Sequence, residues 1–161
     1  MTTDLLSTKD TGLVGAVGEV IAWQYLHQKG IIAVRFGIGR PWFMGKMESD
    51  EVKSPFDRFL ERTYFTKRQL DYLVNLQEKG TTRRWDFIAI GARDIGKKRR
   101  TISLVEVKVR RQGKNRRDLR STLKGKTPQD LEKAKSLGFV PLLLIVDLLD
   151  DWKFEVTCRE L

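Results

Sequence analysis

The chain has 161 residues, 40% hydrophobic and 32% charged, which suits one folded domain with an apolar core and leaves too little for two. Its one cysteine, Cys158, and one histidine, His27, exclude an intrachain disulfide, a zinc cluster and histidine-based acid–base catalysis. A formal charge of +10 suits a polyanionic partner better than a neutral metabolite, and the excess is local, because residues 97–126 hold 13 Lys or Arg against two acids.

That basic segment reads either as a solvated loop or as a nucleic-acid contact surface, which counterion release would reward; an anionic membrane surface is a lesser option. The longest apolar run, Phe139 to Val146, is far too short to span a bilayer. Met1 to Lys9 lacks the basic-then-apolar order of a secretory signal, so no membrane and a cytoplasmic location are expected.

In chain order, Thr11 to Gln28 (TGLVGAVGEVIAWQYLHQ) carries one formal charge, Glu19, and predicts a helix apolar on nearly all sides and therefore buried, closed by Gly30. Ile31 to Phe36 predicts a short strand. Residues 37–80 mix the aromatics Trp42, Phe43, Phe56, Phe59, Tyr64 and Phe65 with many charges and read as a helical insertion on a core. Those aromatics would form either an interface or local core. Within the insertion, Thr66 and Gln69 make a capping box for a helix over Lys67 to about Glu78 with Leu70, Leu73 and Val74 as its apolar face; residues 55–62 are a second candidate helix.

Arg84 to Ile90 alternates as a strand, residues 93–100 form a polar turn, and Thr101 to Arg110 (TISLVEVKVR) is a β-branched strand that a hairpin would connect to the one before. Thr127 then caps a helix with Pro128 at its first position, Leu131, Ala134 and Leu137 on one face, and Gly138 as its stop. Val140 to Val146 is apolar on both faces, as a strand inside a covered sheet must be, and Lys153 to Cys158 reads as an edge strand. The order of elements predicts an α/β sandwich in a single domain spanning residues 1–161.

Chemistry concentrates on the strand TISLVEVKVR. Glu106 and Lys108 leave it on one face with Leu104, while Val105, Val107 and Val109 take the other. An acid and a lysine in so apolar a strand either pair on the polar face of an edge strand or bind something. Asp86 shares a face with Ile88 and Ile90 on the neighbouring strand, so two carboxylates could converge as oxygen ligands for a hard cation such as Mg2+, which would relieve their repulsion. Lys108 beside them could activate water or offset charge on a phosphate, and the reaction implied is phosphodiester hydrolysis. Asp86 is otherwise a structural aspartate at a strand end. Glu19, a third acid on an apolar helix, either reaches that cation directly or through water, or is held by an arginine or exposed at a helix end.

These residues carry a resemblance. GxxGE on a first helix, then Asp86, then E-V-K from Glu106 to Lys108, followed by a helix and a strongly apolar strand, resembles the PD-(D/E)XK nuclease superfamily. Compact size and basicity make it most similar there to the archaeal Holliday junction resolvases. The resemblance covers residues 11–36 and 84–146. It implies a restriction-endonuclease-like sandwich, with a central mixed β-sheet flanked by helices and a helical insertion between the first and second core strands. It further implies Mg2+ or Mn2+ held by Asp86, Glu106, the backbone carbonyl of Val107 and Glu19, with Lys108 catalytic, and often a homodimer. Trp85 stands where the family name has proline, and residues 37–80 exceed the corresponding link of a minimal resolvase.

The function expected is metal-dependent DNA endonuclease activity, on branched or junction DNA in the finer reading. Arg110, Arg111, Lys114, Arg116, Arg117, Arg120, Lys124 and Lys126 would grip phosphates without reading sequence. The competing expectation is a non-catalytic nucleic-acid-binding or assembly protein on the same fold. An RNA nuclease is not separable from a DNA nuclease on these residues, although no aromatic RNA-binding signature stands out.

Overall fold

The computed structural model of the chain describes residues 11–35, 58–59, 63, 65–78, 85–94, 100–111, 127–149 and 153–161. Its elements are α1 (Thr11–Gln28), β1 (Ile31–Arg35), α2 (Lys67–Glu78), β2 (Phe87–Gly91), β3 (Ile102–Arg111), α3 (Pro128–Ser136), β4 (Phe139–Leu148) and β5 (Phe154–Glu160), with a short 3-10 turn at Ala92–Asp94. This is the order the sequence predicts, and it makes an α/β protein.

The termini of the helices follow from side-chain chemistry. Thr66 and Gln69 exchange the two hydrogen bonds of a capping box at the start of α2, at 3.2 and 3.0 Å. Thr127 and Asp130 do the same for α3, whose first residue is Pro128. Gly138, at φ 84°, then turns the chain into β4 through a left-handed conformation that costs glycine little. The Gln69 side-chain amide also donates to the carbonyl of Leu137 at 2.8 Å, tying α2 to the end of α3.

The five strands lie in the order β1-β2-β3-β4-β5. β3 and β4 run parallel and every other neighbouring pair is antiparallel, so the sheet is mixed. The parallel pair needs a crossover, which α3 supplies. β3 is therefore the third of the five strands, paired on both sides over Ile102–Val105 and with β4 alone from Glu106 on, and it is the burial of Glu106, 6% exposed, that counts against a solvent-facing polar face there. β5 is an edge, as predicted.

Alternation along each strand builds two cores. One face carries Ile88 and Ile90, Ile102 and Leu104, and Phe139, buried beneath Tyr72, Leu73 and Leu76 of α2 and Leu131 and Ala134 of α3. Phe59 and Phe65 join this cluster. The described aromatics of the insertion are thus local core. The opposite face carries Phe87 and Ala89, Val105 and Val107, and Leu144, Val146 and Leu148, buried beneath Ala22 and Leu26 of α1.

Two sequence expectations need correcting. α1 is not buried on all sides, since Leu13, Val20 and Trp23 are 41%, 64% and 43% exposed. It lies against one sheet face, so the stripe through Gly18, Ala22 and Leu26 is fully buried, with Val14, Ile21 and Tyr25 partly covered beside it. The Trp23 indole N–H instead donates to the carbonyl of Ala33 at 3.0 Å, and its ring stacks on His27. On α2 the buried stripe runs through Tyr72, Leu73 and Leu76, and Val74 is exposed. Trp42, Phe43, Phe56 and Tyr64, together with all but Arg58 and Phe59 of the 55–62 helix, lie outside the described residues.

Candidate functional site

A fork in the sheet organises the site. β2 pairs with β3 from Phe87↔Val105 to Ile90↔Ile102, whereas β4 stays paired with β3 through Arg111↔Leu148. β3 thus runs on past the end of β2, and Asp86 stands where the two part. The Asp86 backbone N–H donates to the carbonyl of Val105 at 2.8 Å, and its Oδ2 accepts from the Val107 N–H at 2.6 Å. A side-chain oxygen has replaced the missing backbone acceptor of β2. The carbonyl of Val107 leaves the strand on the same side as its N–H, toward Asp86.

Glu106 follows Val105 on β3 and faces the side of Leu104. It is only 6% exposed, and Thr63 is the other buried polar residue among those described. Its Oε1 receives Lys108 Nζ at 2.7 Å, and the lysine side chain is 28% exposed, reaching from the buried acid toward solvent. An unpaired carboxylate at that depth would be costly, so the period-2 spacing of acid and lysine is itself part of the fold.

Glu19 comes to the same place from the opposite layer. α1 can lie close to β3 because Gly18 is a glycine: a Cβ there would overlap Cγ2 of Val109. Gly15, the other glycine of GxxGE, has open space where its Cβ would be. Glu19 forms a 3.0 Å ion pair with Arg35 at the end of β1. Its carboxyl pKa is pushed above the ordinary 4.5 by burial first, lowered in part by Arg35, and raised again by the charge of Glu106. Glu19 and Glu106 are therefore near enough to repel, although they hang from different layers.

Of the predicted phosphate-binding residues, Arg110 is already engaged. Its Nε and Nη2 donate to the two carboxylate oxygens of Asp147 at 2.7 and 2.8 Å, across the Arg110↔Asp147 register of β3 and β4. This bidentate bond holds the guanidinium firmly in its charged form. Arg111 is half-buried at the end of β3, and Lys114, Arg116, Arg117, Arg120, Lys124 and Lys126 lie outside the described residues.

The structure thus brings Asp86, the Val107 backbone, Glu106, Lys108 and Glu19 to one end of the sheet. Among the described residues no group of three or more His, Cys, Asp or Glu is placed to hold a metal ion. Sequence reasoning missed Arg35 and Asp147. Arg35 ends a strand that carries no other charge, which was a usable signal for the arginine partner of Glu19. Asp147 becomes visible as the partner of Arg110 only through the parallel register.

Comparison of the chain with protein-family models, with curated proteins and with solved structures gives no match. Among the described residues no helix is long and apolar enough to cross a membrane.

Proposed function

We propose that this chain is a divalent-metal-dependent DNA endonuclease of the restriction-endonuclease-like, PD-(D/E)XK kind. The observation that carries the proposal is the fork at Asp86. There an aspartate is bonded to the backbone of Val107, the preceding residue of that central strand is a buried glutamate paired with a lysine, and a helical glutamate is close enough to feel the charge of Glu106. The donors are all oxygen, which fits Mg2+ or Mn2+ and not a thiolate-preferring metal.

Asp86, Glu106 and the Val107 carbonyl would hold the ion, with Glu19 reaching it directly or through water, and the ion would act as a Lewis acid on the phosphodiester. Lys108 is the group that leads from this cluster to solvent, where its ammonium can donate to a phosphate oxygen as charge builds. Arg110, oriented by Asp147, and the basic residues after it would hold the backbone of the DNA without reading its sequence. A preference for branched or junction DNA, and a homodimer that cuts two strands symmetrically, are the finer parts of this reading.

A second reading rests on a specific observation. Each acid of the site already has a partner: Asp86 the Val107 N–H, Glu106 Lys108, and Glu19 Arg35. A nucleic-acid-binding protein that uses this cluster only to close its fork would look the same. The experiment is cleavage of labelled four-way junction, flap, single-stranded and duplex DNA with Mg2+, Mn2+ or EDTA. The nuclease reading expects metal-dependent cutting that both Asp86→Ala and Glu106→Ala abolish. Binding of every substrate with no cutting by the wild type would favour the second reading.

A further inference from the structure

The two edges of the sheet are unequal. β1 is five residues long, and the Trp23 indole covers part of its outer edge by bonding to the Ala33 carbonyl. β5 is seven residues long, FEVTCRE, without a proline to blunt the edge, and its charges, Glu155, Arg159 and Glu160, are of both signs and so can pair rather than only repel. All its residues but Val156 are exposed.

The flanking bonds Leu149 N–H to Lys153 O and Leu161 N–H to Pro141 O fix which backbone groups of β5 face β4. Both belong to the odd-numbered residues of the β4–β5 register. The N–H and C=O groups of Phe154, Val156, Cys158 and Glu160 therefore point away from β4, along the open edge.

From this edge we infer that β5 pairs antiparallel with β5 of a second copy of the chain, about a two-fold axis at Thr157. Parity and charge select that register. An axis on any residue of β5 sets even residues opposite even ones, which the outward groups require; an axis between residues does not. With the axis at Thr157, Val156 bonds with Cys158 of the second copy, and Phe154 lies opposite Glu160. On the other face Glu155 meets Arg159 twice, in the pairs where side chains come closest.

Shifting the axis to Val156 sets Lys153 against Arg159 instead, like against like. The apolar residues Phe154 and Val156 lie on the α1 side, next to Leu148 and Val146. The contact is self-complementary and closes on itself, as a two-fold interface must. A single strand pairing is small, so the dimer is concentration-dependent.

The test uses the full chain in sedimentation or light scattering over a concentration series, because a small interface assembles only as concentration rises. The wild type should dimerise, Arg159→Glu should be monomeric, and the charge swap Glu155→Arg with Arg159→Glu should restore the dimer. Because a surface charge change seldom unfolds a domain, circular dichroism serves only to confirm the fold. Thr157→Cys in a Cys158→Ser background should give a disulfide-linked dimer on mild oxidation, as the axis pair lacks backbone bonds and brings its side chains close; Glu160→Cys in that background should not. A wild type that stays monomeric throughout, or a dimer that Arg159→Glu leaves intact and Thr157→Cys does not cross-link, would overturn the inference.

Discussion

The two halves of β3 share one partner strand and differ in nearly everything else. From Ile102 to Val105 the strand is paired on both sides, and its face toward α2 and α3 carries Ile102 and Leu104, both buried. From Glu106 to Arg111 it is paired with β4 alone, and the same face carries Glu106, Lys108 and Arg110. The face toward α1 does not change, since Val105 and Val107 are buried and Val109 packs with them. The switch from core to chemistry thus coincides with the loss of β2, not with any break in β3. Ending one strand early opens a place on the central strand for charged groups, while continuous packing against α1 holds their backbone still.

Substitutions on either side of the switch should fail differently. After the loss of cutting expected of Asp86→Ala and Glu106→Ala, the next largest effect belongs to the core half. Leu104→Ala should cost about 3 kcal/mol of stability by removing a fully buried side chain, with cleavage per folded molecule unchanged. Denaturant melts alongside active-site titration would show it. A fall in cleavage with no fall in stability would break the division. Lys108→Met removes the cation from a carboxylate only 6% exposed, and should cost about 3 kcal/mol at neutral pH as well as activity. Adding Glu106→Leu should recover stability and leave activity lost, because an apolar pair can replace an ionic one in the fold but cannot act on a phosphate.

Gly18→Ala probes the face that does not change. The added Cβ meets Val109, so α1 or β3 must shift, at a cost of about 1–3 kcal/mol. Val109→Ala should rescue most of that loss in a double-mutant cycle. Gly15→Ala, with open space around its Cβ, should not destabilise the protein, which would show that only the second glycine of the motif sets the distance between layers.

The difference in legibility follows the same lines. Helix ends were readable because caps are local: Thr66 with Gln69, Thr127 with Pro128, and Gly138 each act within a few residues. Strand faces were readable because alternation is local too, so Glu106 and Lys108 could be assigned together and Val105, Val107 and Val109 opposite. Exposure on α1 was not, because how much of an apolar helix is covered depends on what lies over it, and here one sheet face covers one stripe. Arg110 with Asp147 was hidden for the same reason, since parallel pairing across residues 112–126 leaves no trace in either strand.

Glu19 gives the smallest effect and the most direct view of the fork before any cation arrives. Its carboxyl holds its proton more tightly in the folded chain than in the unfolded one, burial being the main cause and Glu106 a contributor. A raised folded-state pKa in an acid means that the native state binds more protons above 4.5, so stability falls as pH rises through that window and stays lower beyond it. In metal-free buffer Glu19→Gln should therefore flatten the decline in melting temperature between about pH 4.5 and neutrality. The gain is modest, because the group is partly solvated and the substitution also gives up its bond to Arg35. Glu106→Gln should flatten the same window by removing the repelling charge, whereas Asp147→Asn, on the far side of Lys108, should not. Equal effects from all three would mean that the decline reports general charge, and that Glu19 and Glu106 do not face each other across the fork.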